Sequence, residues 1–221
     1  QQVSSAASDV YKRQRLGNPT VGALEARLTA LEDGAMCVAL SSGTSAVMYS
    51  LINIMSQGDN FVTANQLYGG TYTMFDNILP EYGINSKKVD ITDFEAVESA
   101  IDEKTRAIYC ETITNPGLVV ADISALADIA HSKGIPLIVD ATFTTSAILK
   151  PFEFGADIVV YSLTKWMSGH GRVIAGAVIE KGGFDWGNGN FPLYDKPDTS
   201  YGGMRWGHDL GDLGNVAYSL R

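Results

Sequence analysis

Two kinds of stretch alternate along this chain: short apolar runs rich in Ile and Val, and longer stretches whose apolar residues recur three and four positions apart. The first pattern suits buried strands and the second helices with one face turned to a core. Strands are predicted over residues 36–40, 60–64, 84–89, 106–111, 136–140, 156–161 and 173–179, and helices over 71–81, 93–102 and 122–132. Two more helices are predicted near the start. One begins at Asn18-Pro19-Thr20, carries Leu24, Leu28 and Leu31 at helical spacing and stops at Gly34; the other follows Ser41-Ser42-Gly43-Thr44-Ser45 and runs to Gln57. Asn supplies a cap, Pro suits a first turn and Gly ends a helix, so the boundaries agree with the periodicity. Residues 184–203, rich in Gly, Pro, Asn and aromatics, are predicted to form a long irregular loop of the kind that serves as a lid or a subunit contact. The stretch from Tyr201 to Arg221 turns helical late. Strand-helix alternation predicts an α/β fold, a mostly parallel sheet with helices on both faces, in which ligands sit at the carboxyl ends of the strands.

With 221 residues, 45% of them hydrophobic and 19% charged, the chain can bury one well-formed core. The formal charge of -9 and pI near 4.7 disfavour nucleic acid and anionic membranes as partners, because both repel an acidic surface. No apolar run reaches the ~18 residues of a membrane span. The first residues lack the charged-then-apolar layout of a signal peptide, a pattern that fits a cytoplasmic protein. Cys37 and Cys110 lie in apolar strand contexts and read as buried thiols, and the 3 histidines have no metal-ligand spacing. Residues 1–14 are small and polar without period, which reads as a disordered or non-native tail, so the domain is expected to begin at Arg15.

Chemistry is suggested where strands end. Lys165 follows the 156–161 strand, and Asp140 closes the 136–140 strand, so an amine and a carboxylate reach one sheet edge. Such a pair suits pyridoxal phosphate: the amine holds the aldehyde as a Schiff base, and the anion keeps the pyridine nitrogen protonated. A solvated surface lysine is the competing account. Ser162, Thr164 and Gly169-His170-Gly171 add hydroxyls and pliant backbone beside Lys165. Gly43 and Thr44 stand at a strand-to-helix turn, where free backbone N–H groups bind a phosphate or simply receive an N-cap. Tyr68, after the 60–64 strand, either stacks on a planar ring or packs on a surface turn. Asn115, held extended before Pro116, aims its amide at a ligand or forms an ordinary Asn-Pro turn. A dinucleotide-binding fold is disfavoured, since no Gly-x-Gly-x-x-Gly follows the first strand.

The ordered motifs Asn-Pro-Thr, Ser-Gly-Thr-Ser-Ala, Leu-Tyr-Gly-Gly-Thr, Glu-Thr-x-x-Asn-Pro, Val-Asp-Ala-Thr and Ser-Leu-Thr-Lys-Trp make the chain resemble the pyridoxal-phosphate-dependent enzymes of Cys/Met metabolism, with the large domain of the aspartate-aminotransferase-type fold. The likeness runs from about Arg15 to Met204. Gly-His-Gly after the lysine, and the Gly-Gly-x-Phe-x-Trp loop, resemble the O-acetylhomoserine sulfhydrylases of that family more than its lyases.

That resemblance implies pyridoxal 5'-phosphate as cofactor, an amino acid as substrate, and γ-replacement on O-acetylhomoserine by sulfide or a thiol, with β- or γ-elimination on cystathionine or methionine as the alternative. Lys165 would be the Schiff-base lysine, Asp140 the partner of the pyridine nitrogen, Tyr68 the stacking ring and an aid to leaving-group protonation, and Asn115 the donor to the phenolic oxygen. Gly43, Thr44, Ser162 and Thr164 would bind the phosphate. Arg15 would reach a neighbouring subunit's phosphate, implying a homo-oligomer, a dimer or tetramer. Three departures stand out: Arg13 occupies the place of a tyrosine, Ala141 that of an asparagine, and the family's C-terminal domain has no counterpart after Arg221, so the chain reads as a fragment that binds cofactor without completing catalysis by itself.

Overall fold

The computed structural model describes residues 18–221; the tail assigned to residues 1–14, and Arg15, lie outside the described residues. Seven strands form one sheet: β1 (Met36–Leu40), β2 (Asn60–Ala64), β3 (Asn85–Val89), β4 (Thr105–Glu111), β5 (Leu137–Asp140), β6 (Ile158–Ser162) and β7 (Gly176–Glu180), in the order β1-β7-β6-β5-β4-β2-β3. All pairs are parallel except those of β7, which runs against both β1 and β6. The exception has a simple cause. Every parallel neighbour is reached through a crossover, whereas residues 163–175 return from β6 without a helix, and such a return gives an antiparallel partner. Strand β7 starts at Gly176, not at residue 173 as the apolar run suggests, because Val173 and Ile174 are exposed in that loop.

Every residue of β2, β4 and β7 is buried, so both faces of the sheet are covered, which is why these strands read as continuous apolar runs. The helices are α1 (Pro19–Glu32), α2 (Gly43–Ile52), α3 (Gly69–Thr73), α4 (Phe94–Ala100), α5 (Ile123–Ser132), and the single turns α6 (Thr145–Ile148), α7 (Pro192–Asp195) and α8 (Ala217–Leu220). Four have polar caps. Asn18 accepts from the Thr20 N–H at 2.9 Å, Ser42 from Ser45 at 3.0 Å, Asp93 from Ala96 at 3.0 Å and Asp122 from Ala125 at 3.1 Å. Of the α1 leucines only Leu28 is buried; Leu24 and Leu31 face outward, and the helix is instead held at its end by Glu32, whose carboxylate accepts from the Tyr161 hydroxyl. The single helix predicted over residues 71–81 changes winding along its length, from α3 to a π-helical turn over Met74–Ile78 and a 3₁₀ turn over Leu79–Tyr82. Pro80 lacks an N–H and crowds the turn before it, so α-helical bonding cannot continue through it.

Residues 184–203 form the irregular segment expected, with short turns at Pro192–Asp195 and Thr199–Tyr201, and Trp186, Phe191 and Tyr194 anchor it in the core. Trp186 lies stacked between Tyr194, centroids 5.0 Å apart, and Tyr218 at 5.2 Å, with Phe191 edge-on at 5.0 Å. Its indole N–H donates to Glu180 at 3.3 Å, and the other Glu180 oxygen accepts from the Ser219 N–H at 2.9 Å, tying the loop and the last turn to the end of β7. Large aromatics thus supply the core that regular structure does not. Beneath β4, Arg106 and Asp59 form a buried ion pair at 2.8 Å, and Cys37 and Cys110 are buried free thiols, as expected. Among the described residues no helix is long and apolar enough to cross a membrane.

Truncating the centre of the aromatic cluster tests how much it holds. Trp186→Ala is expected to lower the unfolding free energy by about 3–5 kcal/mol, read from the urea midpoint.

Candidate functional site

Parallel strands β4, β5 and β6 end at the same edge, and the predicted residues gather there. Asp140 ends β5 in register with Glu111 of β4 on one side and Val160 of β6 on the other. One Asp140 oxygen accepts the Thr142 N–H at 2.9 Å, and the other faces the Tyr109 hydroxyl at 3.3 Å. No cation pairs with it among the described residues. Lys165 lies in the turns after β6, exposed, its N–H on the Ser162 carbonyl at 3.2 Å and its carbonyl accepting from Gly169 at 3.1 Å. Thr142 joins the two strand ends, since its hydroxyl oxygen accepts the Ser162 N–H at 2.8 Å.

A second group forms where the N-terminus of α2 meets β6 and β7. A side chain at Gly43 would put its Cβ 2.4 Å from the Ser162 Cβ and 2.8 Å from its Oγ, and one at Gly176 would fall 2.1 Å from the Ser42 carbonyl oxygen. Only glycine permits this approach. It sets the Ser162 side chain directly against the first turn of α2, where the Gly43 and Thr44 N–H groups have no acceptor among the described residues. Thr164, expected beside Ser162 as a phosphate ligand, is already engaged: its hydroxyl donates to the Ala175 carbonyl at 3.3 Å and accepts from the Ala175 N–H at 3.1 Å, closing the 164–175 loop.

Tyr68 and Asn115 come from different loops, after β2 and β4. Tyr68 is 48% exposed and its ring lies over Gly70, where an added Cβ would meet Cε1 at 2.7 Å. Both residues converge on one side chain that the sequence reading quoted only as part of a motif. The Tyr68 N–H donates to Glu111 Oε1 at 2.7 Å, and the Asn115 N–H to Oε2 at 3.0 Å. Glu111, Thr142 and Gly176 were thus missed as individual positions. Their signal was present, a strand-terminal Glu in Glu-Thr-x-x-Asn-Pro, a Thr two residues after Asp140, and a Gly opening the last strand, but each acts through backbone atoms that a residue pattern does not display.

The edge is acidic. Burial pushes the Glu111 carboxyl up to about 7, aided by the neighbouring Asp140 and opposed by the two N–H bonds. Burial also raises Asp140, against the bonds from Thr142 and Tyr109. The Cys110 thiol, buried behind them, is pushed up to about 12.

Comparison with known proteins places this geometry in a family. The chain matches the family described as Cys/Met metabolism PLP-dependent enzyme over residues 1–203. It is 42% identical over 212 residues to O-acetyl-L-homoserine sulfhydrylase of Leptospira meyeri, covering 94% of this chain and 48% of that protein. It is 43% identical over 213 residues to homocysteine synthase of Schizosaccharomyces pombe, covering 95% and 49%. A crystal structure from Campylobacter jejuni that holds an N'-pyridoxyl-lysine-5'-monophosphate superposes with a TM-score of 0.88 at 38% identity, over 94% of this chain and 51% of that one. The chain therefore spans about half the length of the curated relatives it matches.

Two measurements probe the edge directly. Between pH 4.5 and about 7 the folded chain holds a proton on Glu111 that the unfolded chain has released, so stability should fall as pH rises through that window, by about 3 kcal/mol from this group. Urea midpoints across the window should show that slope in the wild type and lose this part of it in Glu111→Gln. Gly43→Ala should force Ser162 from the first turn of α2 and destabilise the fold by about 1–3 kcal/mol, whereas Gly22→Ala, at an open position of α1, should not.

Proposed function

Because the chain belongs to the Cys/Met metabolism PLP-dependent enzyme family, we propose that it holds pyridoxal 5'-phosphate and serves γ-replacement on O-acetylhomoserine, with sulfide or a thiol entering, acetate leaving, and homocysteine or methionine as product. The observation that carries the reading is the convergence at one sheet edge of a lysine, a half-buried acid with no cation beside it among the described residues, and a glycine-backed helix N-terminus lying against a serine hydroxyl. Those three features fit the aldehyde, the ring nitrogen and the phosphate of the cofactor in turn. The names of the two sequence relatives support the choice of replacement over elimination.

When bound, pyridoxal phosphate supplies an electron-withdrawing ring conjugated to the substrate's amino group; the remaining work falls to side chains. Lys165 would hold the aldehyde and, as a free amine, would carry the proton taken from the substrate's α-carbon. Asp140 would hold the ring nitrogen in its protonated form, in surroundings that strengthen such a pairing. Tyr68 stacks on the ring and assists protonation of the leaving group, and Asn115 donates to the phenolic oxygen. Gly43 and Thr44 present backbone N–H groups to the phosphate with the Ser162 hydroxyl beside them. Thr164 joins them only by giving up its bonds to Ala175. Arg15 completes a partner subunit's phosphate site in a homo-oligomer, and the compartment is the cytoplasm.

Mixing the intact protein with pyridoxal phosphate should produce a visible absorption band that Lys165→Ala abolishes, and that variant should turn over about 10²–10⁴-fold more slowly. With O-acetylhomoserine, homocysteine should form only when sulfide is present. Ammonia and a keto acid formed without sulfide would instead make the reaction an elimination, and a band surviving in Lys165→Ala would remove the lysine from its role.

A further inference from the structure

Glu111 is 6% exposed, makes no ion pair among the described residues, and still carries two backbone hydrogen bonds from residues that are themselves open to solvent. Burying an unpaired carboxylate is costly, and a neutral acceptor would cost less. What the ionised carboxylate, the form held above about pH 7, offers here is two equivalent acceptor oxygens on one rigid plane. Glutamine would present one oxygen and one NH₂, and the NH₂ would meet an N–H head-on. The two donors are the backbone groups of Tyr68 and Asn115, placed by elements that share no other contact of this kind: the loop after β2 and the loop after β4.

We propose that Glu111 is a positioning residue, whose two carboxylate oxygens bind the loop after β2 to the loop after β4 and thereby fix the Tyr68 ring relative to the Asn115 amide. The proposal rests on the cofactor reading above, in which those two groups hold the same ring. Leu67, Thr112 and Thr114 are buried within these loops and Gln66 packs against Gly117, but Glu111 is the one buried side chain among the described residues that accepts a hydrogen bond from both loops. The strand end makes the anchor rigid: β4 is buried along its whole length and paired on both sides, by β2 and β5. The pairing also explains why the clamp stands beside Asp140. Residues in register on adjacent parallel strands point to the same face, so the carboxylate that sets the loops and the carboxylate assigned to the ring nitrogen share one frame.

The test uses two readouts on the intact protein, amide hydrogen exchange without cofactor and titration with pyridoxal phosphate. Glu111→Gln should fold cooperatively, exchange the Tyr68 or the Asn115 amide about tenfold faster or more, and bind pyridoxal phosphate about tenfold more weakly with a displaced visible band. Trp186→Ala, destabilised at a distant point, should leave the band where it is. If Glu111→Gln does not fold, Glu111→Asp, which keeps the charge but withdraws it by one methylene, carries the same comparison. Unchanged protection at both amides overturns the proposal, and so does lost protection with unchanged affinity and band. A wild type that takes up no pyridoxal phosphate overturns the cofactor reading and the positioning role with it; failure of the clamp alone is seen only in the variants.

Discussion

A sheet covered on both faces has nowhere to put a polar side chain except at the ends of its strands. In this chain β2, β4 and β7 are buried at every position and β5 and β6 at all but the last, while the outer strands β1 and β3 are mostly half-buried. Their backbone groups are satisfied by one another, and their side chains must be apolar because each face meets a helix layer. Polar groups therefore collect where the ladder stops. Because β4, β5 and β6 run the same way, Glu111, Asp140 and Ser162 end on one edge, and the loops that follow bring Asn115, Thr142 and Lys165 to it. Concentration of chemistry at that edge follows from burial and from strand direction.

The same constraint sets the electrostatics. Asp140 and Glu111 stand on neighbouring strands, each partly stripped of water, and each disfavours the charge of the other. Neither has a basic partner among the described residues. Their charge is met by N–H and O–H dipoles, from Thr142 and Tyr109 for one and from Tyr68 and Asn115 for the other. Such a site favours a ligand that brings its own N–H to the acid end and its own negative charge to the far side, where α2 presents free N–H groups.

Much of this was legible before any coordinates. The seven predicted strands all formed, and the caps read at Asn18 and at the Ser42 turn are present, while Asp93 and Asp122, placed inside predicted helices, proved to be the caps. Strand ends and their motifs were equally plain, since they sit where an apolar run gives way to Ser, Thr, Asp or Asn. What periodicity could not convey was set by tertiary partners. The sense of β7 depends on the connection before it, and the burial of Trp186 depends on Tyr218 far along the chain. Leu24 and Leu31 have the right spacing for a core face, yet that face of α1 is left open. Thr164 looked like Ser162 in sequence, but Ala175 takes up its hydroxyl.

The site's polar contacts divide into those that require a particular side chain and those that need only a backbone in the right place. Asp140, whose carboxylate accepts from Thr142 and faces the Tyr109 hydroxyl, belongs to the first kind. The backbone N–H groups of Gly43, Thr44, Tyr68 and Asn115 belong to the second, separately from anything the side chains of Tyr68 and Asn115 do. Glycine at 43 and 176 lets α2 approach β6 and β7, and Glu111 draws two N–H groups toward one carboxylate. This is why the recognisable motifs are short and separated by long stretches of interchangeable apolar residues. Apart from Asn-Pro-Thr, which opens α1, each motif lies at or just after a strand end, and the sheet holds those ends at fixed separations.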